Sequence, residues 1–427
     1  MKDKMMIERQ NSGVLGPKRL GDFLLPLQVT LLVFSGLLVM QMSRPTTLEA
    51  SEERNLLASR PRRLRQTPTV IASHIDYKRK RAVIDALQKL YEGSTLDKAY
   101  VQELLKDGKQ LLSQSDTIYH ISLPTIGLEE DAEASKKGIT VVGDIHGDFF
   151  NMIHLFKING FPSLGRPYIF NGDFTDRGDQ SLQCLLGLLL IKRYCNECIH
   201  LHTGNHETWM FYTETLKTQV TEVYDWKTYQ LVREVLLQLP LGAIVDGRIF
   251  VVHGGIPMNG FNLNDLRHYQ RGLDVDDQSK EGYLFRRSVW SDPESDDDDD
   301  EKDDDDDDFF TKEQVSTRAA ERIARYDFEI DEENDDDRGW YTSATTKGFL
   351  EKNGLEYVVR AHQSVSAGFR YHHDGKVLTI HSFPKKATDS GAYLNIYSND
   401  RSMNVEQFAG VKHTSINHQS KLDWRAL

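Results

Sequence analysis

From residue 138 onward one pattern recurs six times: a short apolar run that stops at side chains able to hold a cation or a proton. ITVV leads to Gly143-Asp144, PYIF to Asn171-Gly172-Asp173 and CIHL to Gly204-Asn205-His206. RIFVV leads to His253-Gly254, EYVV to Arg360-Ala361-His362 and VLTI to His381. A continuous apolar run of this length reads as a strand covered on both faces. Asp144, Asp173 and Asn205 are 29 and 32 residues apart, the length of a strand, a crossover helix and the next strand. Leu185 to Ile191 supplies the apolar stripe of one such helix. Sites in α/β folds form outside the carboxyl ends of strands, so six such ends can meet in one place. The expected fold from these runs is an α/β sheet with a polar cluster at one rim.

The cluster has a definite chemistry. Asp144, His146 and Asp148 crowd the end of the first run, with glycines between them that let the backbone turn. Across the six ends the candidate donors are Asp144, His146, Asp173, Asn205, His253 and His362. All are oxygen or imidazole groups, a set that suits Mn²⁺, Fe²⁺ or Zn²⁺ rather than a structural zinc. Six donors exceed the need of one tetrahedral ion, so two ions sharing a carboxylate is the simplest arrangement. Ions roughly 3.5–4 Å apart clamp a phosphate and activate water near neutral pH. Mn²⁺ is the expected pair.

Five of these segments also carry a resemblance. GDIHG at 143–147, GDFTDRG at 172–178, GNHE at 204–207, HGG at 253–255 and RAHQ at 360–363 resemble the phosphoprotein phosphatases, in order and spacing, from about residue 76 to 412. The resemblance implies a central β-sandwich flanked by helices, with a dinuclear metal centre at the strand ends. It implies that Asp144 and His146 hold one ion, Asp173 bridges, and Asn205, His253 and His362 hold the other. Arg177, Arg338 and Asn205 would bind the substrate phosphate, the guanidinium presenting paired donors to two oxygens. His206 would protonate the leaving seryl or threonyl oxygen, oriented by Asp176. Water activated between the ions would attack directly, leaving no nucleophilic part for Cys184. The implied activity is that of a metal-dependent serine/threonine protein phosphatase acting on phosphoproteins.

Two stretches depart from the family pattern. Where the family has a SAPNY run, this chain has Ser382-Phe383-Pro384-Lys385-Lys386, placing Lys386 where a tyrosine usually lines the site. The second departure is the insert over 295–337. Its segment Asp296–Asp308 holds twelve acids and one Lys, so most of the net charge of −13 resides there and −2 is left for the rest. No basic excess remains to suggest a nucleic-acid partner. Self-repulsion predicts a solvated, disordered loop. A sharper expectation is that its carboxylates compete with phosphate for the arginines and metals.

The N-terminal third adds a membrane expectation. Phe23 to Ser43 is an uncharged, mostly apolar run of 21 residues. As a helix it spans about 30 Å, the thickness of the hydrocarbon core. It lacks a small-x-small cleavage site, which favours an uncleaved anchor. Basic residues flank both sides, so charge does not orient it. The chain contains no Asn-x-Ser/Thr sequon, which favours a cytosolic catalytic domain. The expected division is a tail over 1–22, an anchor over 23–43, a juxtamembrane linker over 44–75, a catalytic domain over 76–412 and a C-terminal tail over 413–427. Within the domain, Val83, Ile84, Leu87, Leu90 and Tyr91 fall at helical spacing before Gly93, and Leu104, Leu105, Leu111 and Leu112 suggest a second helix. Cys195-Asn-Glu-Cys198 has metal-knuckle spacing, but nothing completes four ligands, and it reads as a turn between helix and strand.

Two other functions fit parts of the pattern. A dinucleoside tetraphosphatase or phosphodiesterase would share GDxHG and GNHE, but not the DRG, RAHQ and second-arginine set. A catalytically silent membrane scaffold would have no need of all six donors and His206.

Overall fold

Apolar runs with β-branched and aromatic residues pair into strands here because helices and a second sheet cover both of their faces. The computed structural model describes residues 68–125, 137–208, 214–258, 260–267, 269–271, 279–294, 339–386, 388–411 and 424, with residues 68–76 given by their backbone. In chain order the strands are β1 (Ile118–Ile121), β2 (Gly138–Val142), β3 (Tyr168–Phe170), β4 (Ile199–Leu201), β5 (Gly242–Val245) and β6 (Ile249–Val252). They continue as β7 (Asp292–Pro293), β8 (Trp340–Tyr341), β9 (Tyr357–Arg360), β10 (Phe369–His372), β11 (Val377–Ile380), β12 (Ser390–Tyr397) and β13 (Met403–Ala409). All six runs identified in the sequence are strands: β2, β3, β4, β6, β9 and β11.

They do not share one sheet. β1-β5-β6-β9-β11-β10 form a six-stranded sheet, β13-β12-β2-β3-β4 a five-stranded one, and β7-β8 a small pair. The six runs split evenly. β2, β3 and β4 are mutually parallel in one sheet, and β6, β9 and β11 are mutually parallel in the other. Between the sheets lies a core of Ile139, Val141, Ile169, Val251, Val359, Leu378, Ile380 and Leu394. Each fully buried aliphatic side chain there contributes about 1.5–3 kcal/mol. Strand alternation sends Val142 and Phe170 to the opposite face, against helices Lys98–Ser113, Phe149–Asn159 and Ser181–Tyr194. On the far side, Phe250, Val252 and Val358 pack with helices Lys280–Trp290 and Ser343–Asn353. The order is helix, sheet, sheet, helix, as the expected sandwich requires. The sheets touch at one rim, where Asp144, just beyond β2, bridges His381, just beyond β11.

Several boundaries differ from the sequence reading. The first described helix, Pro68–Tyr91, begins inside the expected 44–75 linker, with Pro68 at its first turn, where a missing N–H costs nothing. In the expected 413–427 tail, Trp424 is buried against Tyr91, ring centroids 5.3 Å apart. Cys195 and Cys198 occupy the expected turn between helix and strand, and a disulfide joins them across it. The expected span 23–43 and the acidic insert lie outside the described residues. Among the described residues no helix is long and apolar enough to cross a membrane.

Candidate active site

The two parallel sets of strands deliver the predicted donors to the shared rim. Asp144 and His146 follow β2; Asp173, Asp176 and Arg177 follow β3; Asn205 and His206 follow β4. His253 follows β6 directly and His362 follows β9. The turns that aim these side chains are strained: His146, Asp173, Asp176, Arg177 and His362 all have φ between 40° and 71°. A left-handed backbone is uncommon outside glycine and concentrates where function demands a particular aim. The glycines serve close approach as well as turning. A Cβ on Gly204 would lie 2.1 Å from Asp173 Oδ1, and one on Gly172 would lie 2.7 Å from His253 Nδ1. Asp148 is the exception among the predicted acids. Its carboxylate caps helix Phe149–Asn159 by accepting the Asn151 N–H at 3.0 Å, so it starts a helix and, among the described residues, belongs to none of the grouped metal-ligating donors.

Asp173 stands at the centre. Its carboxylate belongs to two groups of donors, each within 4.8 Å of one another: His146, Asp173 and His206, and Asp173, His253 and His362. Asp144 lies beside both, 3.8 Å from His146 Nε2 and 3.8 Å from His253 Nδ1, and its Oδ1 accepts the His362 N–H. Asn205 Oδ1 sits between His253 Nε2, at 2.9 Å, and His362 Nδ1, at 3.0 Å. All six predicted donors are therefore together. His381, though it ends the sixth run, donates its Nε2–H to the Phe383 carbonyl and is not among them.

Electrostatics make the cluster a cation site. Burial, with Asp173 adding to it, pushes the Asp144 carboxyl up to about 6. Asp173 is also buried, yet the adjoining histidines hold its carboxyl well below the ordinary range. Burial opposes a charged His253, but Asp173 and Asp144 overcome it and raise the imidazole to about 9. Tautomer geometry points the same way. His253 Nδ1–H donates to the Asn171 carbonyl at 2.8 Å, so its Nε2 is left facing Asp173 Oδ2 at 3.2 Å and Asn205 Oδ1. Two oxygens facing one ring nitrogen call for a positive charge between them, met either by a second proton on Nε2 or by a metal ion that replaces it. Oxygen and imidazole donors so arranged fit divalent metal ions.

Next to the cluster, His206 Nδ1 meets Asp176 Oδ2 at 2.5 Å, and its Nε2 lies 3.4 Å from Arg177 Nη2. Burial lowers the His206 pKa, but the carboxylates of Asp173 and Asp176 outweigh it and the net shift is upward. Arg177 is exposed at the mouth of the site. Arg338 lies outside the described residues. Lys386 is exposed in a turn where its N–H donates to Asp389 Oδ2. Phe383 is the residue of that run whose ring meets His146, at 5.8 Å.

Two supporting groups lie outside the set predicted from the sequence. Glu207, fully buried, accepts the N–H groups of Asp173 and Gly204 on one oxygen, and the N–H and hydroxyl of Thr175 on the other. It ties the loops after β3 and β4 together. Burial and the Asp173 charge push its carboxyl up to about 7, against four donors that favour the ionised form. Arg360 is likewise buried, pairing with Asp292 at 2.8 Å and donating to the Gly254 and Ser291 carbonyls. That anchor locks the segments carrying His253 and His362. Both residues sit inside the quoted motifs, and a charged side chain bound for burial within a motif was the available signal.

The helix-flanked double sheet and its rim of donors define a metallophosphoesterase. The chain belongs to the calcineurin-like phosphoesterase family, whose pattern matches residues 138–366. Serine/threonine-protein phosphatase 5 of Arabidopsis thaliana is 30% identical over 327 residues, covering 75% of this chain and 52% of that protein. The Homo sapiens protein of the same name is 29% identical over 366 residues, covering 79% of this chain and 66% of its own length. The chain thus spans about half to two-thirds of these relatives. A solved protein serine/threonine phosphatase from Saccharomyces cerevisiae, described as similar to human phosphatase PP5, shares the fold with a TM-score of 0.60. It is 20% identical and covers 76% of this chain and 94% of that one. The resemblance to phosphoprotein phosphatases read from the motifs is borne out.

Proposed function

We propose that the chain is a metal-dependent serine/threonine protein phosphatase. The observation that carries the reading is the sharing of Asp173 between two donor groups, with the His206–Asp176 pair beside it. Asp144, His146 and Asp173 would hold one divalent ion, and Asp173, Asn205, His253 and His362 the other, with Mn²⁺ the expected metal and Fe²⁺ or Zn²⁺ chemically suited. Bound there, such ions polarise phosphoryl oxygens and lower the pKa of water. The chain's own residues do the rest. Arg177 binds two phosphate oxygens and orients the ester, joined by Arg338 on the sequence argument, while Asn205 serves ligand and phosphate alike. Asp176 holds the His206 Nδ1–H and, with Asp173, favours the charged imidazolium, whose second proton on Nε2 passes to the departing seryl or threonyl oxygen.

Metal analysis combined with turnover of a phosphoserine peptide tests this. Activity that needs a divalent ion and is lost in both Asp144→Asn and His206→Ala supports it. Hydrolysis of dinucleoside polyphosphates in preference to the peptide would replace it with the other phosphoesterase reading, and no turnover of either would leave a scaffold. Membrane anchoring through 23–43 with a cytosolic domain belongs to the same proposal. The missing sequons support that orientation, whereas the Cys195–Cys198 disulfide is at home in an oxidising compartment. Protease protection of the domain in intact vesicles would reverse the orientation.

A further inference from the structure

Behind the site runs a chain of hydrogen bonds, half-buried at its Tyr119 end and fully buried beyond, that crosses from one sheet to the other. The Asn171 side chain donates from Nδ2 to the Val252 carbonyl at 2.7 Å, which fixes its amide so that Oδ1 faces His202 Nδ1 at 3.0 Å. An amide oxygen only accepts, so His202 carries its proton on Nδ1. Its Nε2 then accepts, and the Tyr119 hydroxyl 3.1 Å away is the donor. Every link thus points one way: Tyr119 to His202, His202 to Asn171, Asn171 to Val252. Tyr119 belongs to β1 of the six-stranded sheet, while His202 and Asn171 follow β4 and β3 of the five-stranded one. Asn171 and His202 are fully buried, and burial holds His202 neutral. The far end is functional, because the Asn171 backbone carbonyl takes the Nδ1–H of His253, and Val252 precedes His253.

We propose that Tyr119, His202 and Asn171 are positioning residues that set the tautomer and aim of His253, turning its Nε2 toward the cation site. The inference rests on the metal centre proposed above. The Asn171 amide oxygen sets the His202 tautomer, and the Tyr119 hydroxyl reinforces it by donating to Nε2. That in turn holds the Asn171 amide, which clamps both the carbonyl receiving His253 Nδ1–H and the strand end carrying His253. Partners behind a metal-binding histidine act in this way on ligand basicity and orientation, and their loss costs about 10–100-fold in metal affinity.

The experiment uses the full chain, freed of metal, with Mn²⁺ as the probe and with ¹⁵N shifts of the His253 ring as a second readout. His202→Leu breaks the relay and should weaken Mn²⁺ binding by about 10–100-fold. Tyr119→Phe should weaken it by a smaller factor. His202→Gln, which can donate to Asn171 and accept from Tyr119, should restore near wild-type binding. In the ¹⁵N spectra the His253 Nδ1–H should keep its hydrogen bond to the Asn171 carbonyl in the wild type and in His202→Gln, and lose it in the other two. Wild-type affinity and an unchanged His253 Nδ1–H signal in His202→Leu and Tyr119→Phe would overturn the inference. Should His202→Leu fail to fold, Tyr119→Phe decides by the same two measurements. A wild-type chain that binds no Mn²⁺ defeats the metal centre instead, and the ¹⁵N spectra still decide the relay.

Discussion

Replacing Asp176 with Asn should move the alkaline limb of the pH–rate profile to lower pH. The wild-type carboxylate accepts from His206 Nδ1 at 2.5 Å in a buried setting, and it is one of two charges that raise the imidazole pKa against burial. A hydrogen bond to a charged group of this kind is worth about 1.5–3 kcal/mol. Asn keeps a weaker neutral bond, so part of this is lost and the His206 pKa falls; on the alkaline side of the profile each 1.36 kcal/mol lost lowers the rate about tenfold. The sign follows from the role: His206 donates only while protonated, so activity falls as pH rises through its pKa, and a lower pKa brings the fall earlier. Asn still offers an amide oxygen to Nδ1–H, so orientation is largely kept and the charge alone is removed. The assay is kcat against pH for a phosphoserine peptide, at saturating Mn²⁺, in wild type and Asp176→Asn. An aryl phosphate serves as control, since its good leaving group needs little protonation and should show a weaker shift. An alkaline limb that stays in place while kcat drops uniformly would refute the reasoning.

Glu207→Gln offers one oxygen where two are used, so at least one buried N–H among Asp173, Gly204 and Thr175 loses its acceptor. A loss of about 1–3 kcal/mol in denaturant-measured stability is expected, with weaker Mn²⁺ binding. Arg360→Met takes the buried guanidinium away from the Asp292 carboxylate and should cost about 3–5 kcal/mol in the same measurement. Asp292→Asn paired with Arg360→Met should recover part of that loss. Deleting Asp296–Asp308 should lower KM for a phosphopeptide, most at low ionic strength where screening is weak; an unchanged KM would dismiss competition by the insert.

The sequence by itself determined the strands and the donors. Each apolar run had to be covered on both faces, and each ended at a side chain that a core cannot accept without a partner, so Asp144, His146, Asp173, Asn205, His253 and His362 were legible as a set. Period and composition act over a few residues, and these features are local. What lay beyond them was decided by residues distant in the chain. Whether six strands make one sheet or two depends on β12, which returns from residue 390 to pair with β2. Asp148 resembled a ligand until a following helix claimed it as a cap. The burial of Trp424 against Tyr91 likewise had no local signature. Tertiary structure alone placed Asp173 between two histidine groups and set Glu207, Arg360 and the Tyr119–His202–Asn171 relay behind them. Most of those contacts join segments 31 or more residues apart, and buried polar groups find such partners only when packing closes the space around them.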